Sequence, residues 1–247
     1  MINRILLFTV LVLTFLKFTS LAFTNFDLFG DEAQYWVWSK SPDFGYFSKP
    51  PFLAWFIGIY TSIFGNFFFV LKLLPLTVYF FTAFAIYNLS KNLGLKHAEA
   101  FSCSLVFLFI PAVSFSTFFI STDVFLLLFW TLSLNQLLRI KKNQDIGGFI
   151  LLGIFIGLAF LSKYAAVYFV ICLVVYILVD KTFRIFFLTH YFKFTLTIIC
   201  SLVILLPNII WNINNDWVTL QHTADNTNLG NLNLNLFRGL EFLTIQI

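Results

Sequence analysis

The chain has 247 residues, of which 60% are hydrophobic and 11% charged, with a net charge of +4 and a mean hydropathy of +0.91. Soluble domains carry about 45–50% apolar and about 25% charged residues, and so large an apolar excess would cover the surface as well as the core. This composition excludes a soluble enzyme, a nucleic-acid-binding domain and a disordered chain. It leaves an integral membrane protein whose positive charge sets orientation in the bilayer.

Residues 5–23 form the first apolar run. Arg4 before it raises the alternative of a signal peptide. The run is long for one and no A-x-A-like cleavage site follows, so it reads as a retained span. A polar, aromatic segment follows over 24–66, holding Asp27, Asp31, Glu32, Lys40, Asp43 and Lys49. Within it, 31–40 (DEAQYWVWSK) is expected to be helical. Acids at its start and a lysine at its end suit the helix dipole, and its aromatics suit the headgroup level. Pro42 and Gly45 mark a turn over 41–49. Pro50 and Pro51 open a second helix that runs to Gly65, either along the membrane surface or dipping into it.

Further spans are expected over 67–89, 99–115, 123–139, 147–161, 165–179 and 194–211, about seven in all at about 20 apolar residues each. A last polar segment covers 212–241. No strand pattern and no internal repeat is present. Cys103, Cys172 and Cys200 all lie in apolar runs without a CxxC pair, which argues against a disulfide framework or a thiolate metal site.

Alternation of these spans puts nine basic residues (Arg4, Lys91, Lys96, Arg139, Lys141, Lys142, Lys181, Arg184 and Lys193) on one side. Five (Lys40, Lys49, Lys72, Lys163 and Arg238) lie on the other, and Lys17 falls within the first span. The richer side is cytoplasmic, which puts the N-terminus inside and segments 24–66 and 212–241 outside. The outer side has the longest loops and most of the acids and tryptophans, so function is sought there.

Asp123 falls at the outer end of its span and Lys163 at an outer turn. Asp31, Glu32, Lys49 and His222 lie in outer loops. Ionisable groups near membrane depth are functional candidates. The alternatives without chemistry are that Asp123 caps a helix, Lys163 snorkels from a helix end and adjacent Asp31 and Glu32 merely favour the dipole. Taken together, the set describes group transfer from a lipid-linked phosphate donor. Lysines hold the phosphate and a carboxylate takes a proton from a hydroxyl. A proton-coupled transporter would place charges along a mid-span path instead.

The stretches DEAQYWVW and YFSKPPFLAWFIGIYTSIFG resemble the first outer loop of GT-C type polyprenyl-phosphate-sugar glycosyltransferases. These include dolichyl-phosphate-mannose protein mannosyltransferases and the lipid A aminoarabinose transferase. FISTDVFLLLFWTLSL, GLAFLSKYAAVYF and PNIIWNINNDWVTLQHTADN resemble later segments of the family, in order and on the expected side. The resemblance covers nearly all of the chain. It implies an all-α transmembrane bundle in a single domain over 1–247, the N-terminal part of the family's usual length.

The implied reaction is inverting sugar transfer at the periplasmic face of a bacterial inner membrane. The donor is a polyprenyl-phosphate-linked sugar, and the acceptor is a glycan, lipid or protein. Asp31 matches the family's first-loop acid, the general base, and Glu32 completes the acidic pair. Lys49 and Lys163 match phosphate-binding positions. Asp123 matches an acid of less defined role, and His222 has a partner-like place that an interfacial histidine explains equally well. No cofactor is called for. Some GT-C enzymes use a divalent cation, and Asp31, Glu32 and His222 are the residues that could form a weak site. The alternative is a non-catalytic lipid-linked-sugar binder or flippase, or an inactive fragment.

Overall fold

The computed structural model describes residues 15–20 and 27–227, together with positions 8, 12, 23 and 244. Much of the expected first span lies outside the described residues, as do Arg4, Arg238 and the last polar segment beyond 227. Residues 15–20 are helical. Among the described residues every regular element is a helix.

Two short helices form the segment between the first span and the bundle. Helix α1 covers Gly30–Trp38 and α2 covers Phe52–Phe64. At the start of α1, Glu32 turns back to accept the Phe29 N–H at 2.9 Å, as the acid of a capping box does. The helix ends at Ser39, so Lys40 lies just past it. Pro51 caps α2, and Gly65 ends it at φ +91°, which glycine adopts without a Cβ penalty.

The bundle follows: α3 (Phe68–Asn92), α4 (His97–Phe109), α5 (Pro111–Ser116), α6 (Thr122–Asn143) and α7 (Ile146–Ser162). A 3-10 turn at Tyr164–Ala166 leads to α8 (Val167–Val179), α9 (Lys181–Thr189), α10 (Tyr191–Asn214) and α11 (Val218–Thr227).

Three helices, α3, α6 and α10, are long and apolar enough to cross a membrane. The chain is an integral membrane protein. The turn with α8 meets α9 at 105°, and the pair adds one further span at most. Helices α4 and α7 have 13 and 17 residues, short of the about 20 that a perpendicular crossing needs. By length and composition, three helices among the described residues, or four with the bent pair, are sufficient to cross, and the other expected spans are not shown. Apolar composition conceals one break: the backbone at Ile110 lets Pro111 begin a separate helix inside the expected 99–115 span. The expected span over 165–179 ends where α8 does, at Val179, and Asp180 caps α9 by accepting the Phe183 N–H.

Helix α2 is built into the bundle. Its Leu53 and Ile57 are buried, and Phe52 meets Phe125 and Phe129 edge-on at 5.0 and 5.1 Å. They belong to an apolar cluster joining α1, α2, α3 and α6; a second cluster around Ile140, Phe149, Phe183 and Phe194 joins α6, α7, α9 and α10.

The close approach of α7 to α10 depends on Gly153 and Gly157. A Cβ on Gly153 would strike Thr197 O, and one on Gly157 would come within 2.9 Å of Ile204 Cβ. Lipid supplies no hydrophobic drive between helices, so small residues four apart let backbones pack. Thr197 Oγ1 donates to Phe149 O at 2.8 Å across this interface.

The bundle has two chemically distinct ends. At one, Lys142 Nζ donates to Asn92 O (3.2 Å), Lys193 Nζ to Gln144 O (2.6 Å) and Lys141 Nζ to Tyr176 OH (3.3 Å). The other end gathers α1, the starts of α3 and α6, the ends of α7 and α10, and α11.

Candidate active site

The loop between α1 and α2 is fastened to this second end. The Asp43 carboxylate accepts Trp211 Nε1–H at 2.8 Å and the Phe44 N–H at 2.7 Å, while Trp55 Nε1–H donates to Asp43 O at 2.7 Å. Asn208 Nδ2 donates to Phe44 O (2.7 Å) and Thr219 Oγ1 to Tyr46 O (2.6 Å). Gly45 lies against the Trp211 ring with no room for a Cβ. The Tyr46 ring stacks on Trp38 at 4.5 Å, and its hydroxyl donates to Trp38 O at 3.1 Å. Tyr164 OH donates to Asn208 Oδ1 at 2.9 Å and accepts Asn212 Nδ2–H at 3.1 Å. The loop, the end of α10 and the residue after Lys163 thus form one connected unit. Asp43, Asn208 and Trp211 were not singled out as site residues by sequence reading. For Trp211 the pattern WNINNDW, which leads into the polar outer segment, was the available signal.

Asp31 occupies the first turn of α1, exposed and with no hydrogen bond or ion pair among the described residues. Tyr35 follows one turn later on the same face. It is buried, and burial pushes its hydroxyl pKa up, with smaller contributions from the charges of Asp31 and Asp123.

Asp123 lies in the first turn of α6, and Lys163 is the C-cap of α7. Lys163 Nζ sits 2.7 Å from Asp123 Oδ1 and 2.9 Å from Oδ2, both side chains partly exposed. Exposed pairs contribute about 0–1 kcal/mol, so a phosphate can compete for this lysine. Lys49 is half-buried and makes no hydrogen bond or ion pair among the described residues. Phe52, three residues on, packs against Phe125, two residues past Asp123, which brings the loop's end beside the start of α6. His222, half-buried on α11, meets the Phe47 ring at 4.8 Å, two residues before Lys49.

Glu32 differs from its neighbour in every respect. It is 2% exposed, and both carboxylate oxygens are committed. Oε2 accepts Lys72 Nζ at 2.6 Å and the Phe29 N–H at 2.9 Å; Oε1 accepts the Ile120 N–H at 2.7 Å. Lys72 also donates to Phe118 O at 3.3 Å and lies within 5.7 Å of the Phe29, Phe68 and Phe119 rings. Sequence reading counted Lys72 only as an outer-side charge. A lysine in the first turns of a spanning helix was the clue to more. With Glu32 so occupied, Asp31, Glu32 and His222 do not fit a divalent cation. Among the described residues no three His, Cys, Asp or Glu side chains group as metal ligands.

Residues 48–211 match the family described as dolichyl-phosphate-mannose-protein mannosyltransferase. The chain belongs to this family. The stretch common to the mannosyltransferase family contains Lys49, Asp123, Lys163, Asn208 and Trp211, while Asp31 and Glu32 lie just before it. The resemblance carried by the sequence motifs is borne out. The chain is also similar to the lipid A galacturonosyltransferase RgtD of Rhizobium johnstonii, with 33% identity over 241 residues. The alignment covers 97% of this chain and 50% of that protein. The chain thus spans about half the length of the curated relative it matches. No solved structure matches it.

Proposed function

We propose that this family member carries the donor-binding and catalytic membrane region of a GT-C glycosyltransferase, transferring a sugar from a polyprenyl phosphate with inversion. The observation that carries the reading is Asp31. It is an exposed carboxylate, unpaired among the described residues, at the end of the bundle that also holds Lys49 and the Asp123–Lys163 pair.

In this mechanism the acceptor hydroxyl oxygen attacks the anomeric carbon and gives its proton to Asp31. The bond between the anomeric carbon and the phosphate oxygen breaks, and its electron pair leaves on the phosphate. Lys49 and Lys163 hold the charge that develops there, Lys163 exchanging Asp123 for the phosphate. His222, packed on Phe47, lines the loop that carries Lys49. The site faces the periplasm, opposite the basic cytoplasmic end of the bundle. The activities named for the family and for the relative, on protein and on lipid A, support an acceptor that is a protein or a glycolipid.

The test is sugar transfer from a radiolabelled polyprenyl-phosphate sugar in membranes, comparing wild type with Asp31→Asn. Transfer lost in the variant with donor binding retained is the expected result. Equal transfer in both overturns Asp31 as the base. Donor binding that needs Lys49 and Lys163, with no transfer in either protein, makes the chain a lipid-linked-sugar binder.

A further inference from the structure

We infer that the buried Glu32–Lys72 pair is a positioning device that sets Asp31 in place and takes no part in bond making. The inference rests on the reading of Asp31 as the base.

Asp31 makes no hydrogen bond among the described residues, and nothing would crowd a Cβ at the preceding Gly30. Its position is therefore inherited from the rest of the first turn. That turn is held by Glu32, which joins three elements at once. Through Lys72 it reaches α3, through the Ile120 N–H the turn before α6, and through the Phe29 N–H the start of its own helix. Phe29 also packs on Phe119 at 5.1 Å, closing an aromatic wall around the Lys72 ammonium.

Successive helical residues point about 100° apart, so with Glu32 anchored against α3 and the turn before α6, Asp31 takes a different direction, in which it is exposed. The Glu32 carboxylate is buried and both of its oxygens already accept donors from the protein, so it does not meet an acceptor. The acidic pair thus divides its work between an anchor and a base.

Breaking one member of a buried ion pair strands a charge, whereas removing both charges strands none. A second change at Lys72 can therefore rescue an anchoring carboxylate but cannot rescue a carboxylate that itself accepts the proton. Transfer is measured in membranes for Glu32→Gln, Lys72→Met, Lys72→Arg and the Glu32→Gln/Lys72→Met double variant, with kcat, donor KM and the pH profile resolved. Each neutralising single variant is expected to lose about 100-fold in kcat, the scale of a displaced catalytic group, with donor KM little changed. The double variant recovers at least about ten-fold over either single and keeps the wild-type acid limb. Lys72→Arg stays active.

A double variant as inactive as Glu32→Gln overturns the inference, as do fully active single variants. If the singles do not accumulate, the double variant and Lys72→Arg still carry the test. A second readout is independent of the base assignment. Asp31→Cys, in a background with Cys103, Cys172 and Cys200 replaced by Ser, is labelled with a membrane-impermeant maleimide. Lys72→Met is expected to change the labelling rate and the added Glu32→Gln to restore it. An unchanged rate overturns the anchoring role even if Asp31→Asn leaves transfer intact and the base reading fails.

Discussion

Lys163 gives both carboxylate oxygens of Asp123 a short hydrogen bond, 2.7 and 2.9 Å, and so ties the end of α7 to the first turn of α6 across 40 positions of sequence. The acid sits where the α6 dipole favours negative charge, and the lysine follows the last residue of α7. The pair is partly exposed, so its worth lies in placement more than in stability.

Asp123→Asn is expected to cost no more than about 1 kcal/mol of stability, the ceiling for exposed pairs. On the proposed phosphate-binding role of Lys163, Lys163→Met is expected to weaken donor binding by about ten-fold, corresponding to about 1.4 kcal/mol. Thermal unfolding in detergent and binding of labelled donor check the two effects separately. Equal donor affinity in wild type and Lys163→Met would remove this lysine from the site.

The helix carrying Lys163 is seated by glycine. Gly153→Leu places a side chain where Thr197 O and Cys200 Cβ already stand. Overpacking of this kind costs about 1–3 kcal/mol, and α7 must move away from α10 to relieve it. Because Lys163 ends the same helix, donor affinity is expected to fall together with the unfolding temperature. Gly147→Ala, on the same helix with only Asp145 Oδ2 near its Cβ position, is the control and should leave both unchanged.

Trp211→Phe keeps a ring against Gly45 but withdraws the N–H that reaches Asp43 Oδ2 at 2.8 Å. Losing a hydrogen bond to a charged group costs about 1.5–3 kcal/mol, here spent in loosening the loop that carries Lys49. Donor binding is expected to weaken several-fold, with less effect when Lys49→Met is already present, because both changes act through one loop. Additive losses in the double variant would separate the clamp from Lys49.

Two tyrosines set an alkaline limit. Burial pushes up the hydroxyl pKa of Tyr35, with added rises from the Asp31 and Asp123 charges. For Tyr46 burial is again the chief cause of the rise, with the Asp43 N–H opposing it and the Asp43 charge adding to it. Both hydroxyls hold their protons more tightly in the folded protein. Their contribution to stability is therefore fully present below the unfolded value of about 10 and is lost as pH rises through the folded values. Unfolding temperature in detergent is expected to fall above about pH 10, less steeply in Tyr35→Phe. Identical slopes for the two proteins would contradict the assignment.

Much of the local architecture was legible along the chain. Acids followed by aromatics announced α1, and Pro51 and Gly65 bound α2 where proline and glycine chemistry says they should. Apolar length announced α3, α6 and α10. The end of α8 at Val179 was also anticipated, but the interruption at Ile110–Pro111 was harder to read. An apolar stretch looks continuous whether or not one backbone torsion breaks it, and neighbouring helices decide which breaks are tolerated.

Composition and apolar length by themselves determined that this is an all-helical membrane protein, because these are properties of residue type and local period, and the resemblance of its motifs pointed to the mannosyltransferase family. They could not separate Asp31 from Glu32, two acids side by side in one first turn. That distinction was decided by tertiary structure. Lys72 of α3 and the Ile120 N–H converge on one carboxylate and leave its neighbour exposed. The same holds for Asp43 and Trp211, 168 positions apart yet hydrogen-bonded. Burial and pairing depend on which distant elements meet, and no local pattern in a sequence records that meeting.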